Sequence, residues 1–303
     1  MISATGSTPG HLPMSAADVW SAPGPEVRRP DFVVIGAMRA GTTSLWFRLD
    51  AHDGLDLPGA KEPNLFLPES KLRSLSWDGF FPEHDGRVTG EASVSYADLR
   101  HAALVAERIA AVAPEARLVY VVRDPVERLR SHYRHSYLRG AERRPIGEAA
   151  DLSSWLVGRS CYDSVLAAFH EHVPTEQLHV VIHEELVGDD GAAWAGLLDH
   201  LGLERIPRPE IERNTTESKP MVNPWARRYF DSGLDRRLRG VLPARVRRAG
   251  ARRLIRSAGG AEEAKDAGAG SLRDEVLERL ADEVDRLEAR LGRSMPWPSP
   301  VAQ

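Results

Sequence analysis

Residues 36–45 read GAMRAGTTSL and follow the apolar run FVVI. Gly36 and Gly41 stand five apart, the spacing of the loop G-x-x-x-x-G-K-[ST], but Thr42 occupies the position of its lysine. The nearby cation is Arg39, inside the loop. A strand, a glycine-bearing turn and a helix starting at Thr42 make an anion site from backbone alone. The first N–H groups of a helix lack internal partners, and the helix dipole adds partial positive charge there. Gly41 permits close approach of a ligand, and the hydroxyls of Thr42, Thr43 and Ser44 add donors. By itself the pattern also suits an ordinary strand–turn–helix connection with a capping threonine.

The elements around this loop alternate short apolar runs with amphipathic stretches, as a parallel sheet covered by helices requires. DFVVIG (31–36) reads as a buried strand and TTSLWFRLDAH (42–52) as the helix after it. HAALVAERIAAVAP (101–114) is a helix stopped by Pro114, and ARLVYVVRD (116–124) is the plainest strand. PVERLRSHYRHSYL (125–138) starts with proline in its first turn, where the missing N–H costs little. YDSVLAAFHEHV (162–173), LHVVIHEEL (178–186) and AWAGLLDHLGL (193–203) read as helix, strand and helix. Leu and Val at 272, 276, 280, 284, 287 and 291 mark a last helix, ended by Gly292. The expected architecture is a three-layer α/β/α domain over residues 31–300, with a central, mostly parallel sheet of P-loop-like type.

The chain has 303 residues, 42% hydrophobic and 28% charged, an ordinary globular balance. A net charge of −4 gives no reason to expect nucleic acid as a partner. The one cysteine, Cys161, fits a reducing compartment and reads as a small buried residue rather than a nucleophile. Residues 1–30, rich in Gly, Pro, Ser and Ala, read as a flexible tail without signal-peptide character. No apolar run reaches the roughly eighteen residues of a membrane span, so a cytoplasmic protein without membrane insertion is expected. From 227 to 256 there are eleven arginines against Asp231 and Asp235, a local charge of about +9. That stretch suits either solvated helix faces or an electropositive rim for an anionic ligand.

Two further segments, KEPNLF (61–66) and VVRDPVERLRSHY (121–133), complete a set with RAGT (39–42). Together they resemble the sulfotransferases that use 3′-phosphoadenosine 5′-phosphosulfate (PAPS), in the branch of the heparan-sulfate sulfotransferase domains and their bacterial relatives. GEASVSY (90–96) is similar to that family's G-E-x-S-P-x-Y segment, and the resemblance covers roughly residues 31 to 297. It implies that Arg39, Ala40, Gly41, Thr42, Thr43 and Ser44 hold the 5′-phosphosulfate of PAPS. Arg123 and Ser131 would hold the 3′-phosphate. Two separate cationic positions would thus pin opposite ends of one co-substrate, with no metal.

Glu62 falls on the family's catalytic base position, and Lys61 beside it would orient the sulfuryl oxygens or stabilise charge. Arg39 stands where the family has lysine. Arginine keeps its proton at any working pH, so it would act by charge and bidentate hydrogen bonding. On chemistry alone His101, His132 and His135 rival Glu62 as bases. Lys219, in RNTTESKP (213–220), stands where some relatives close over the nucleotide. The implied reaction is sulfation of a hydroxyl or amine on a small or medium organic acceptor. The rivals are a P-loop small-molecule kinase, which needs a lysine after Gly41 and a magnesium-binding acid, and a non-catalytic nucleotide-binding relative. Acceptor and oligomeric state are not written in the residues.

Overall fold

The computed structural model describes residues 20, 22–59, 61–67, 77–188, 191–210 and 268–303, with the backbone of 221–222 and 255–256. Lys219 and its loop, residues 1–19 and the arginine-rich stretch (apart from the backbone of 255–256) lie outside the described residues.

Four strands form one parallel sheet: β1 (Phe32–Gly36), β2 (Gly90–Ala92), β3 (Arg117–Val122) and β4 (Leu178–Ile182), in the order β2-β1-β3-β4. Helices α1 (Thr42–Asp50), α2 (Ala102–Val112) and α3 (Pro125–Leu138) follow β1, β2 and β3 in turn. Two short helices, α4 (Ile146–Ala149) and α5 (Trp155–Gly158), lead to α6 (Tyr162–His170). After β4 come α7 (His183–Val187) and α8 (Ala192–Leu201), and the described chain closes with α9 (Asp274–Leu291). A separate antiparallel pair joins β5 (Met221–Val222) to β6 (Ile255–Arg256).

β1 and β3 form because they are almost wholly apolar, as the central strands of a sheet sandwiched by helices require. Leu118 to Val122 are all fully buried, each large side chain stabilising by about 1.5–3 kcal/mol. Asp124 caps α3, its Oδ1 accepting the N–H groups of Val126 and Glu127 at 2.9 Å, with Pro125 next. α9 turns Val276, Leu280, Glu283 and Leu287 inward and ends at left-handed Gly292.

Three expectations change. The run 178–186 is strand only to Ile182, because its partner β3 stops at Val122; beyond that register no ladder exists, and His183 begins α7. β2, absent from the periodicity reading, is three residues long, too short to show alternation. Residues 22–30, with Trp20, are not a loose tail: Trp20 Nε1 donates to Leu65 O at 2.9 Å, and Arg28 donates to Pro82 O at 2.8 Å.

β1 lies between β2 and β3, so the chain leaves β1 toward one neighbour and later returns to the other. Ligands of open α/β sheets collect beyond the carboxyl ends of the strands at such a point. The segments after β1, β2, β3 and β4 all emerge there.

Candidate active site

The loop after β1 enters α1 through Gly41, whose φ of 92° lies in the left-handed region and which supplies no side-chain cap. The first turn of α1 thus keeps its N–H groups for a ligand. A β-carbon at Gly41 would stand 2.5 Å from Nδ1 of His183, so the helix start is closed from that side by the residue that opens α7. His183 Nδ1 is itself buried, with no hydrogen-bond partner among the described residues. Burial, then the charge of Arg123, lowers the pKa of this imidazole. Thr42 is buried, Ser44 is half-buried and Thr43 is exposed, so the three hydroxyls do not share one environment.

Arg39 also has positive φ, 71°. Its Nε donates to Ser131 Oγ at 3.2 Å, joining the loop to the second turn of α3. Burial lowers its pKa, and so do the charges of Arg123, Arg134 and Arg139. Three further guanidiniums close enough to disfavour the charge on Arg39 make a cationic cluster suited to a multiply charged anion. The two cationic positions read as separate in sequence are therefore contiguous here.

Arg123 follows directly on β3, its carbonyl accepting the Tyr162 hydroxyl at 2.8 Å and its Nη2 3.7 Å from Glu127 Oε2. Arg128 is fully buried, and its hydrogen-bond partners among the described residues are neutral groups. It donates from Nε to Ser160 Oγ at 2.7 Å, from Nη1 to Met38 O at 3.3 Å, and from Nη2 to Leu156 O. Desolvation pulls its pKa down to about 10, leaving it charged at neutral pH. Arg128 thus clamps the loop carbonyl to α3 and α5.

The turn carrying Lys61 and Glu62 lies along the carboxyl end of β2. Glu62 N donates to Ala92 O at 2.9 Å, Asn64 N to Ser93 Oγ at 3.0 Å, and Val94 N to Glu62 Oε2 at 2.9 Å. Glu62 and Asn64 have φ of 64° and 56°, left-handed values at non-glycine residues, costing about 1 kcal/mol or more each. Buried Phe66, edge-on to Trp77 and Tyr96, anchors the turn, as does the Arg108 Nη1 donation to Phe66 O at 3.0 Å. Lys61 Nζ is ion-paired with Glu62 Oε1, so its charge is directed at the carboxylate beside it.

Among the rival bases, His132 is buried edge-on to Trp155 and its Nδ1 accepts from Arg128 Nη1 at 3.1 Å. Burial, then Arg128, lowers its pKa well below the ordinary value. With that nitrogen engaged, His132 is a packing residue. His135 lies half-buried farther along α3. His101 precedes α2 with a pKa lowered by burial, near Asp98, Arg100 and Arg159.

Arg159 and Asp98 were not singled out in the sequence. Arg159 Nε donates to the fully buried Asp98 at 2.9 Å, and its Nη1 lies 2.8 Å from Met38 Sδ in the loop. Glu62 is among the charges that raise the Arg159 pKa, against the larger lowering by burial. One guanidinium thus spans from the loop to the vicinity of Glu62. Largely buried and sixty-one residues apart in the chain, such a pair has no local signature. Cys161 is buried and its thiol is pushed up to about 11 by burial, as a packing residue's should be. Among the described residues, no group of three His, Cys, Asp or Glu side chains comes together as a metal site would need, and no helix is long and apolar enough to cross a membrane.

A family model described as the sulfotransferase family matches residues 98–207, a span that takes in Arg123, Ser131 and Arg159. Human heparan sulfate glucosamine 3-O-sulfotransferase 3B1 is 29% identical over 188 residues, 58% of this chain and 47% of that one. Human heparan sulfate glucosamine 3-O-sulfotransferase 6 is 30% identical over 197 residues, 61% of this chain and 56% of that one. The chain spans about half the length of the curated relatives it matches. A sulfotransferase from Alicyclobacillus acidocaldarius shares the fold, with a TM-score of 0.61 at 19% identity, over 89% of this chain and 98% of its own.

Proposed function

We propose that the chain is a sulfotransferase of the family whose model matches residues 98–207, and that it transfers the sulfuryl group of PAPS to a hydroxyl or amine of an organic acceptor. The acceptor is a small or medium molecule; a sugar hydroxyl is the second reading, favoured by the names of the glucosamine-acting relatives. The observation that supports the reading is the Arg39–Ser131 hydrogen bond beside the uncapped start of α1, with the Arg123 charge acting on Arg39 and Glu62 at the neighbouring strand end.

In this reading the first-turn N–H groups of α1 and the Arg39 guanidinium hold the 5′-phosphosulfate. Arg123 and Ser131 hold the 3′-phosphate. Glu62 takes the acceptor proton as the acceptor atom bonds to sulfur; the bond from sulfur to the bridging phosphate oxygen breaks, releasing 3′-phosphoadenosine 5′-phosphate (PAP). Arg39 meets the charge gathering on that oxygen without giving up a proton, which a phosphate leaving group does not require. Lys61 orients the Glu62 carboxyl through their ion pair between turnovers.

The test is calorimetric binding of PAP against ATP with magnesium, followed by PAP release from PAPS over a panel of sugar, phenol and amine acceptors. Tighter binding of PAP with acceptor-dependent release is expected. Preference for ATP with magnesium would make the chain a kinase. PAP binding without turnover on any acceptor would make it a nucleotide-binding relative.

A further inference from the structure

β2 contributes a carboxyl group that the mechanism above does not use. Glu91, the middle residue of the strand, is fully buried. Burying a carboxylate without a cation is expensive, and such groups normally find a partner or a proton. The charged and titratable groups facing it are Tyr96 and Ser93 from its own segment and Glu62 and Lys61 from the opposing turn. The one cation among them, Lys61, is engaged by Glu62.

Its neighbours give Glu91 a place in the architecture of the base. Ser93 Oγ donates to Glu91 Oε2 at 2.8 Å and accepts the N–H of Asn64 at 3.0 Å. Asn64 Nδ2 in turn donates to Glu62 O at 3.0 Å. A chain of three hydrogen bonds therefore runs from the buried carboxyl to the carbonyl of Glu62. It crosses the two residues whose left-handed backbone needs outside support.

Resting on the reading of Glu62 as the base, we propose that Glu91 is its positioning residue: through Ser93 it fixes the turn that presents Glu62, and the two carboxyl groups share a single negative charge. Burial, with a contribution from the Glu62 charge, pushes Glu91 up to about 8, so the hidden carboxyl keeps its proton at neutral pH. During transfer Glu62 gains the acceptor proton and later returns it to solvent through its exposed oxygen edge; Glu91 keeps its own throughout. Above about pH 8 the proton leaves Glu91. Two like charges then oppose each other across the turn, while the Ser93 donation to Glu91 persists.

Two measurements test this. In carboxyl-selective 13C NMR, Glu91 of the intact protein is expected to titrate near neutrality or above, and to shift toward the ordinary range in E62Q, which removes the facing charge. Titration of Glu91 in the ordinary carboxylate range, or no response to E62Q, overturns the shared charge without reference to turnover. In kinetics, the alkaline fall in kcat should vanish in E91Q, while S93A should lower kcat by about tenfold to a hundredfold with PAP affinity unchanged and S93T should restore it. Persistence of the alkaline limb in E91Q, or wild-type kcat in S93A, overturns the positioning role. Full turnover by E62Q would instead remove the base assignment itself, an outcome the NMR titration tells apart.

Discussion

Arg39 and Ser131, ninety-two residues apart, share a hydrogen bond of 3.2 Å that joins the phosphate-type loop to the third helix. The loop cation therefore rests on the serine assigned to the far end of the nucleotide, and a ligand that recruits the Ser131 hydroxyl must compete with Arg39 for it. S131A is expected to weaken PAP by about tenfold to a hundredfold, the worth of a hydrogen bond to a charged group. Adenosine 5′-phosphosulfate, lacking the 3′-phosphate, should lose little. Calorimetry on both ligands checks this, and a double-mutant cycle with R39A should show the two positions coupled. Equal losses for both ligands would put Ser131 outside the 3′-phosphate pocket.

Glu62 is held by Val94 N and by Lys61, and its side chain keeps one edge toward solvent. E62Q keeps those hydrogen-bonding shapes but cannot take a proton. Turnover should fall by about a hundredfold to ten-thousandfold, the usual contribution of a general base, with PAP affinity unchanged. A parallel loss of PAP affinity would mean that Glu62 shapes the nucleotide pocket instead.

At Gly41 backbone and packing both exclude a side chain: φ is 92°, and a β-carbon would meet His183 Nδ1 at 2.5 Å. G41A should fold, with the start of α1 displaced, and should lose PAP affinity by at least about tenfold through the lost N–H contacts. Adding H183A relieves the collision but not the backbone strain, so recovery is expected to be partial. Full recovery would show that only the collision matters.

Arg128 holds the same loop from the other side. Its removal leaves Met38 O, Ser160 and Leu156 O without their donor. R128M should cost about 1–3 kcal/mol or more, the range for leaving buried acceptors unsatisfied, measured by urea unfolding. A loss near zero would mean that the clamp contributes nothing to the fold.

Glu91 makes stability depend on pH in a definite direction. Its folded value is raised to about 8 from an ordinary 4.5. Between those limits the folded chain binds the extra proton, so stability falls as pH rises through that window and levels off above it. The difference in Tm between E91Q and the wild type should therefore grow in favour of E91Q from about pH 5 to pH 8. Asp98 acts at the other end: burial opposes its charge, but Arg100 and Arg159 overcome this and hold it at about 2. That contribution is present above its unfolded value near 3.8 and is lost as pH falls toward 2. A Tm difference that does not change with pH would remove Glu91 as the titrating group.

What the sequence determined by itself was everything carried by local pattern. The β-branched runs before Gly36 and Arg123, the Asp124–Pro125 helix start and the Leu/Val repeat ended by Gly292 all follow from preferences within a few residues. The loop with Arg39, the Lys61–Glu62 pair and the Arg123–Ser131 spacing were legible because each motif is a short contiguous string. What only the tertiary structure decided was which strings meet. The contact of Arg39 with Ser131, the closure of Gly41 by His183, the burial of Arg128 and the Asp98–Arg159 pair all cross between segments far apart in the chain. Burial then sets the chemistry. Glu91 and Glu62 are the same residue type, yet one is sealed behind a strand and keeps its proton while the other faces the cleft beside a lysine. That difference comes from the dielectric and the charges around each carboxyl, which arise only when the sheet and its loops have assembled.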